Sequence, residues 1–333
     1  MISGYLSGGI TGQAYGPVPT FSANTPKTKT QNPASTTAIV RLVLKGAPKP
    51  DSARQILQDA LKQWPENCQA KYFMLPGGFA EADWPKAPKN SDPKSSEGDS
   101  GWLVEDGNIS PLVQSASLTL SKIITPGVLR LARGKTRYLS VGIDVLGEQG
   151  LKAPHAELVA VVDVNTGKVI RWTGKSYPTA SQENKLLPVE DLDSHFLELG
   201  NDRVMVLGCN DLNMFSPRVH ANQKAGSSRS ERCLDMVSAA NAFKPNVILQ
   251  HPHATDTPNI WRMAWMALAQ SFPDLKVWAS AIRYFNPRGD VRKPLENVLA
   301  KTRSDEAQVL DLVLETDSYD SAPSRYMQGF KKF

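Results

Sequence analysis

The sequence predicts an α/β chain, with a mixed sheet or two stacked sheets and helices on the outside. Three observations carry this. Apolar, β-branched runs of strand length recur along the chain, among them AIVRLVLK from Ala38, RVMVL from Arg203 and NVILQ from Asn246. Segments with apolar residues at helical spacing fall between them. A hairpin signal at Asn165-Thr166-Gly167 shows that helical crossovers do not join every strand.

In chain order, Ala38 to Lys45 reads as a strand. Asp51 or Ser52 can cap a helix whose apolar residues Ile56, Leu57, Ala60, Leu61 and Trp64 share one face. Lys71 to Pro76 is a second strand, ended by Pro76-Gly77-Gly78, and Leu112 to Leu131 is helical in its second half. Arg137 to Val145 is a strand, and Glu157 to Val164 with Val169 to Trp172 forms the hairpin. Arg203 to Leu207 runs straight into Gly208-Cys209. Ser227 to Ala242 is a helix, Asn246 to Gln250 a strand, and Ile260 to Phe272 a helix with Trp261, Trp265, Leu268 and Phe272 on one side. Val277 to Ile282 is a further strand.

Two stretches lack any hydrophobic period. Residues 1–36 are rich in Gly, Ser, Thr, Pro and Asn and read as a flexible arm that could bind a protein partner. Trp84 to Gly101 is a polar loop that interrupts a single domain spanning 37–333. Hydrophobic residues make up 41% and charged residues 21%, enough for a folded core. The net charge of +5 comes from 38 basic residues scattered among 33 acids, not from a basic stripe, so nucleic acid is not an expected partner. Three cysteines without CxxC spacing, Cys68, Cys209 and Cys233, favour a reducing compartment. Neither a secretory leader nor an apolar run near the roughly 18 residues of a membrane span is visible, so a cytoplasmic protein is expected.

The segment VMVLGCNDLNMFSPR, Val204 to Arg218, is the most informative. A hydrophobic strand delivers Cys209 at its C-terminal end, where α/β proteins present reactive groups. Read alone, such a cysteine is more often an inert small hydrophobe. His251-Pro252-His253 follows another strand end and could line a pocket or, with Asp256, ligate a metal. Arg218, His220, Lys224, Arg229 and Arg232 form a basic patch after the cysteine turn, ordinarily a solvated face.

Taken together, these residues resemble the nitrilase superfamily of carbon–nitrogen hydrolases. Cys209, Asp211 and Phe215-Ser216-Pro217 are similar to its nucleophile motif. The hairpin Asp163 to Ile170 leads to Lys175, with Ser176-Tyr177-Pro178 behind it, as the hairpin before the family's catalytic lysine does. Glu183 stands where many members place a supporting glutamate, and Val141 to Asp144 resembles a family strand. The resemblance spans about residues 38 to 285 and implies a four-layer α-β-β-α sandwich, commonly paired as a homodimer. It implies a thiol hydrolase acting without cofactor or metal on a small-molecule amide or nitrile. Cys209 would attack, Lys175 and the Asn210 N–H would stabilise developing charge, and His251 and His253 would contact substrate. One departure is plain: the family's general-base glutamate follows the strand-terminal Pro, and here that position is Gly77. Glu81, Asp83 or Glu183 could take over the proton transfer. Otherwise the chain is a silent relative that binds a ligand or partner, with a metal hydrolase built on His251 and His253 as a third reading.

Overall fold

The computed structural model describes residues 36–46, 50–85, 111–150, 154–253, 258–284, 294–305 and 307–316. These belong to one compact unit within residues 34–333. All but the last residue of the expected 1–36 arm, and all but the first two residues of the 84–101 loop, lie outside the described residues; Thr36, expected in the arm, opens the first strand.

The larger sheet starts with β1 (Thr36–Lys45), β2 (Gln69–Met74), β3 (Ala80–Asp83) and β4 (Thr136–Leu146). The hairpin β5 (His155–Asp163) and β6 (Lys168–Gly174) completes its front half. The smaller sheet holds β7 (Phe196–Leu199), β8 (Asp202–Leu207), β9 (Val247–Gln250) and β10 (Val277–Ser280). Two late strands, β11 (Ile282–Tyr284) and β12 (Val309–Glu315), return to the larger sheet. Its order is β11-β1-β2-β4-β5-β6, with β12 also on β1 and β3 also on β4. The smaller sheet runs β10-β9-β8-β7. Pairing is parallel except for β4-β5, β5-β6 and β7-β8.

Seven α-helices are found among the described residues. Helices α1 (Ala53–Lys62), α2 (Pro111–Ile123) and α3 (Pro126–Ala132) bury Ile56, Leu57, Leu112, Leu120 and Val128 against one face of the larger sheet. The short α4 (Pro217–Asn222) precedes α5 (Ser228–Phe243) and α6 (Pro258–Ser271), and the last two bury Met236, Trp265 and Leu268 on the smaller sheet. Helix α7 (Leu295–Lys301) lies beside β11, burying Val298 with Ile282. Between the sheets, Ile39, Tyr72, Met74, Val159 and Val161 meet Val204, Val206, Val247 and Leu249. Side chains alternate along a strand, so β4 sends Leu139, Val141, Ile143 and Val145 to the helical layer and its even-numbered residues to the inter-sheet side. The result is the four-layer α-β-β-α sandwich.

Three segments depart from the sequence expectation. Leu112 to Leu131 is helical in both halves, split where Thr125 caps Val128 N–H ahead of Pro126. The run Val277 to Ile282 divides, β10 joining the smaller sheet and β11 the larger one. Strand β2 does not continue through Pro76: its pairing with β4 extends through Leu75 N–H, which donates to Ser140 O (2.9 Å), opens at 76–79 and resumes with β3. Gly142 permits that opening, because a Cβ there would sit 2.4 Å from Pro76 O and 2.6 Å from Gly77 Cα.

Candidate active site

The opening in the β2–β3 edge is filled from the other sheet. His251-Pro252-His253 leaves the end of β9 and enters it: Gly77 N–H donates to Pro252 O (3.1 Å), and His251 Nδ1–H donates to Leu75 O (2.6 Å). Gly77 makes this possible. A Cβ at position 77 would lie 2.5 Å from His251 O, 3.0 Å from His253 Nδ1 and 3.1 Å from His253 Cε1.

Cys209 is half-buried, one residue past Gly208 at the end of β8. Its carbonyl accepts a hydrogen bond from Gln250 Nε2 (3.1 Å), whose other amide atom accepts from Ser280 Oγ (2.6 Å). The His253 N–H donates to Cys209 Sγ (3.4 Å). Buried Asp211 fixes the turn, accepting from Gly208 N–H (2.8 Å), Ser176 N–H (3.0 Å) and Tyr177 N–H (2.8 Å). It thereby ties the cysteine turn to the segment that begins at Lys175. The approach is close: a Cβ on Gly208 would meet Lys175 Cα at 2.7 Å.

Lys175 is almost wholly buried, its Nζ 3.0 Å from Glu157 Oε1 and 2.6 Å from Gln182 Oε1. Gln182 also donates to Glu157 Oε1 (2.8 Å). Burial opposes both charges, yet the Lys175 ammonium, then His253 and His155, hold the Glu157 carboxyl down at about 2. Glu157, then Cys209, keep Lys175 above its ordinary value in spite of burial.

Asp144 and Glu157 are cross-strand partners on β4 and β5, so both carboxylates point into the space between the sheets. His253 sits across them. Its Nε2 is 2.8 and 2.9 Å from the Asp144 oxygens, and its Nδ1 is 3.3 Å from Glu157 Oε2. Burial alone would depress the imidazole, but Asp144 and then Glu157 raise it to about 10. Burial pushes the His251 imidazole down to about 4, although its hydrogen bond to Leu75 O works the other way.

The thiol of Cys209, a Glu157 carboxylate oxygen and a His253 ring nitrogen lie within 4.8 Å of one another. Among the described residues this is the one such group of three donors, and His251 is not part of it. A borderline-soft cation uses such donors. Here the Lys175 ammonium already neutralises Glu157, and Asp144 engages Nε2 of His253 and favours the charged imidazolium, so a cation fits poorly.

The other expected site residues lie apart from this group. Glu183 turns outward, its half-exposed carboxylate 3.0 Å from Arg229; the neighbouring Gln182 is the residue that reaches Lys175. Glu81, half-buried on β3, stands in register with Asp144 and adds negative charge beside it. Asn210 spends its side chain on the turn, Nδ2 donating to Tyr177 O (3.1 Å). Sequence reasoning did not single out Asp144, Glu157 or Gln182 for the site. The signal for the first two was present, since an acid inside SVGIDVL or HAELVAVVD is a buried charge that needs a partner.

The fold and the site define a four-layer α-β-β-α protein that presents a cysteine, a lysine and a carboxylate-flanked histidine where the two sheets meet. No protein-family profile matches the chain, and no curated protein matches it. Similar solved structures include an amidase of the nitrilase superfamily from Nesterenkonia AN1, 14% identical over 76% of this chain and 78% of that one, with a TM-score of 0.45. A second structure of an amidase from Nesterenkonia sp. gives 15%, 76%, 78% and 0.44. A glutamine-dependent NAD+ synthetase from Acinetobacter baumannii is 11% identical over 73% of this chain and 37% of that one, with a TM-score of 0.42. At such scores the likeness is distant, and the chemistry must come from this chain's own residues.

Proposed function

We propose that the protein is a cysteine-dependent hydrolase of a non-peptide C–N bond, with a small amide or nitrile as substrate. The convergence of Cys209, Glu157 and His253 within 4.8 Å, beside the Lys175 ammonium, carries this reading. Acyl transfer through sulfur needs a nucleophile, a proton carrier and a donor for the developing oxyanion. Cys209 supplies the nucleophile. Lys175, with the Asn210 N–H, meets the negative charge that grows on the substrate oxygen or nitrogen. Glu157 and Gln182 hold the ammonium in place and charged. Glu183 acts at the rim: Arg229, which it pairs, also donates to Pro178 O (2.7 Å) and steadies the segment after Lys175.

A screen of amides and nitriles with wild type and Cys209→Ala tests the reading. Turnover lost in the variant supports it. Absence of turnover with any of them would favour a silent ligand-binding protein. The exposed Leu234 on α5 and Met263 and Met266 on α6 lie in the outer helical layer and support pairing of two chains there. Sedimentation of wild type against Met263→Glu/Met266→Glu checks that part.

A further inference from the structure

We propose that His253, oriented by Asp144, is the catalytic acid–base partner of Cys209 and fills the space that a side chain at position 77 would otherwise take. The proposal rests on Cys209 being the nucleophile. Its basis is steric before it is electrostatic. The imidazole lies 3.0 Å from where a Cβ of residue 77 would be, so the ring and any larger residue at 77 exclude one another. Gly78 adds to this: its Cβ would stand 2.5 Å from Asp144 Oδ2 and 2.8 Å from His253 Cδ2. The two glycines therefore clear room for the histidine and its carboxylate together.

Several of the elements around the ring contribute a charged or titratable group, and buried Arg283 on β11 donates to Gly78 O (3.1 Å) in the glycine stretch that packs on it. Asp144 on β4 binds Nε2, and Glu157 on β5 faces Nδ1. Cys209 stands at the end of β8, and Lys175, after β6, neutralises Glu157. Glu81 on β3 acts on Asp144, and His155 acts on Glu157. With Nε2–H directed to Asp144, Nδ1 is left facing Glu157 Oε2 (3.3 Å), and a ring nitrogen stands within 4.8 Å of Cys209 Sγ. The elevation of the imidazole to about 10 agrees with a proton held on the ring at neutral pH.

For an amide, the Cys209 thiolate, paired with the His253 imidazolium, bonds through Sγ to the carbonyl carbon, and the carbonyl π pair moves onto oxygen. The C–N bond then breaks while the His253 imidazolium gives its proton to the departing nitrogen, leaving a thioester and a neutral imidazole. Water attacks the thioester, its proton returns to the imidazole, and the C–S bond breaks to release the acid. One water is consumed, one amine and one acid leave, and the ring ends as it began.

The test follows alkylation of native protein by iodoacetamide across pH, with intact-mass and peptide readout, for wild type, His253→Gln and Asp144→Asn. Cys209 of wild type should label about tenfold or more faster than Cys68 or Cys233 at neutral pH, because a flanking cation favours the reactive form. In His253→Gln that rate should fall about tenfold and its pH curve move to higher pH, with amide turnover down by about 10²–10⁴. Asp144→Asn should move the curve the same way by less, which a purely structural role would not do. If either variant fails to fold, ¹⁵N-histidine spectra of wild type decide. They should show a doubly protonated His253 ring at neutral pH, perturbed when Cys209 is alkylated. Fast labelling with an unchanged curve in the variants, or a ring indifferent to alkylation, overturns the role of His253 and leaves Cys209 as nucleophile. Slow labelling of Cys209 in wild type overturns the nucleophile assignment itself.

Discussion

At Gly77 a missing side chain determines what the site contains. The Cβ of an alanine would press on His251 O at 2.5 Å, and backbone cannot move aside as a flexible side-chain tip can. Gly77→Ala should therefore cost about 1–3 kcal/mol in urea unfolding, with slower alkylation of Cys209 as His253 is displaced. Glu157 poses the converse problem. Its carboxylate compensates the buried Lys175 ammonium at 3.0 Å, and removing one partner of a buried pair leaves a bare charge. Glu157→Gln should lower unfolding stability by about 3–5 kcal/mol, whereas Lys175→Met combined with Glu157→Gln should cost less, because both charges then go. A single variant no less stable than the double would show that the pair does not hold the site together.

Among the elements, β2 carries two duties. Met74 ends its run in the core, and at its other end Lys71 and Tyr72 clamp the smaller sheet. Lys71 Nζ donates to Leu199 O and Asp202 Oδ2, both at 2.7 Å, and Tyr72 OH donates to the same carboxylate at 2.8 Å. Partial burial works against the Asp202 charge, but the two donors outweigh it and hold the carboxyl below its ordinary value. The sign follows from linkage. A depressed folded-state value gives stability that is fully present above the unfolded value, near 3.9, and lost as pH falls through the folded one. Asp202→Asn should cost about 1–3 kcal/mol at neutral pH and flatten the loss of stability below about pH 4. Equal acid sensitivity in variant and wild type would contradict the clamp. Long β-branched runs such as β1, β4 and β8 were legible in the sequence because apolar burial on both faces leaves an unbroken pattern. The four-residue β3, AEAD, was not, for its small and acidic residues become a strand only through pairing with β4. The same limit applies to the site. Cys209 is visible as the end of a strand. That Asp144 and Glu157 face one histidine depends on the β4–β5 register and on a tripeptide arriving from the other sheet.

For the whole molecule, the two sheets must stay in fixed relation, because the site draws Asp144, Glu157 and Lys175 from one and Cys209 and His253 from the other. The C-terminal segment helps to lock them. Fully buried Arg41 on β1 pairs with Asp311 on β12, and donates to Ser280 O at the end of β10 (3.0 Å) and to Leu299 O of α7 (2.8 Å). Distant sequence is thus gathered on one guanidinium, and a cationic side chain so placed tolerates no loss of its acceptors. If this frame serves a nucleophilic thiol, trapping an acyl-enzyme shows it most directly. Native protein is incubated with activated amides, and adducts are located by intact mass and peptide mapping. The structure predicts a stoichiometric adduct on Cys209 that is absent in Cys209→Ala and decays with release of acid. Adducts spread equally over Cys68, Cys209 and Cys233, or none at Cys209, would contradict it.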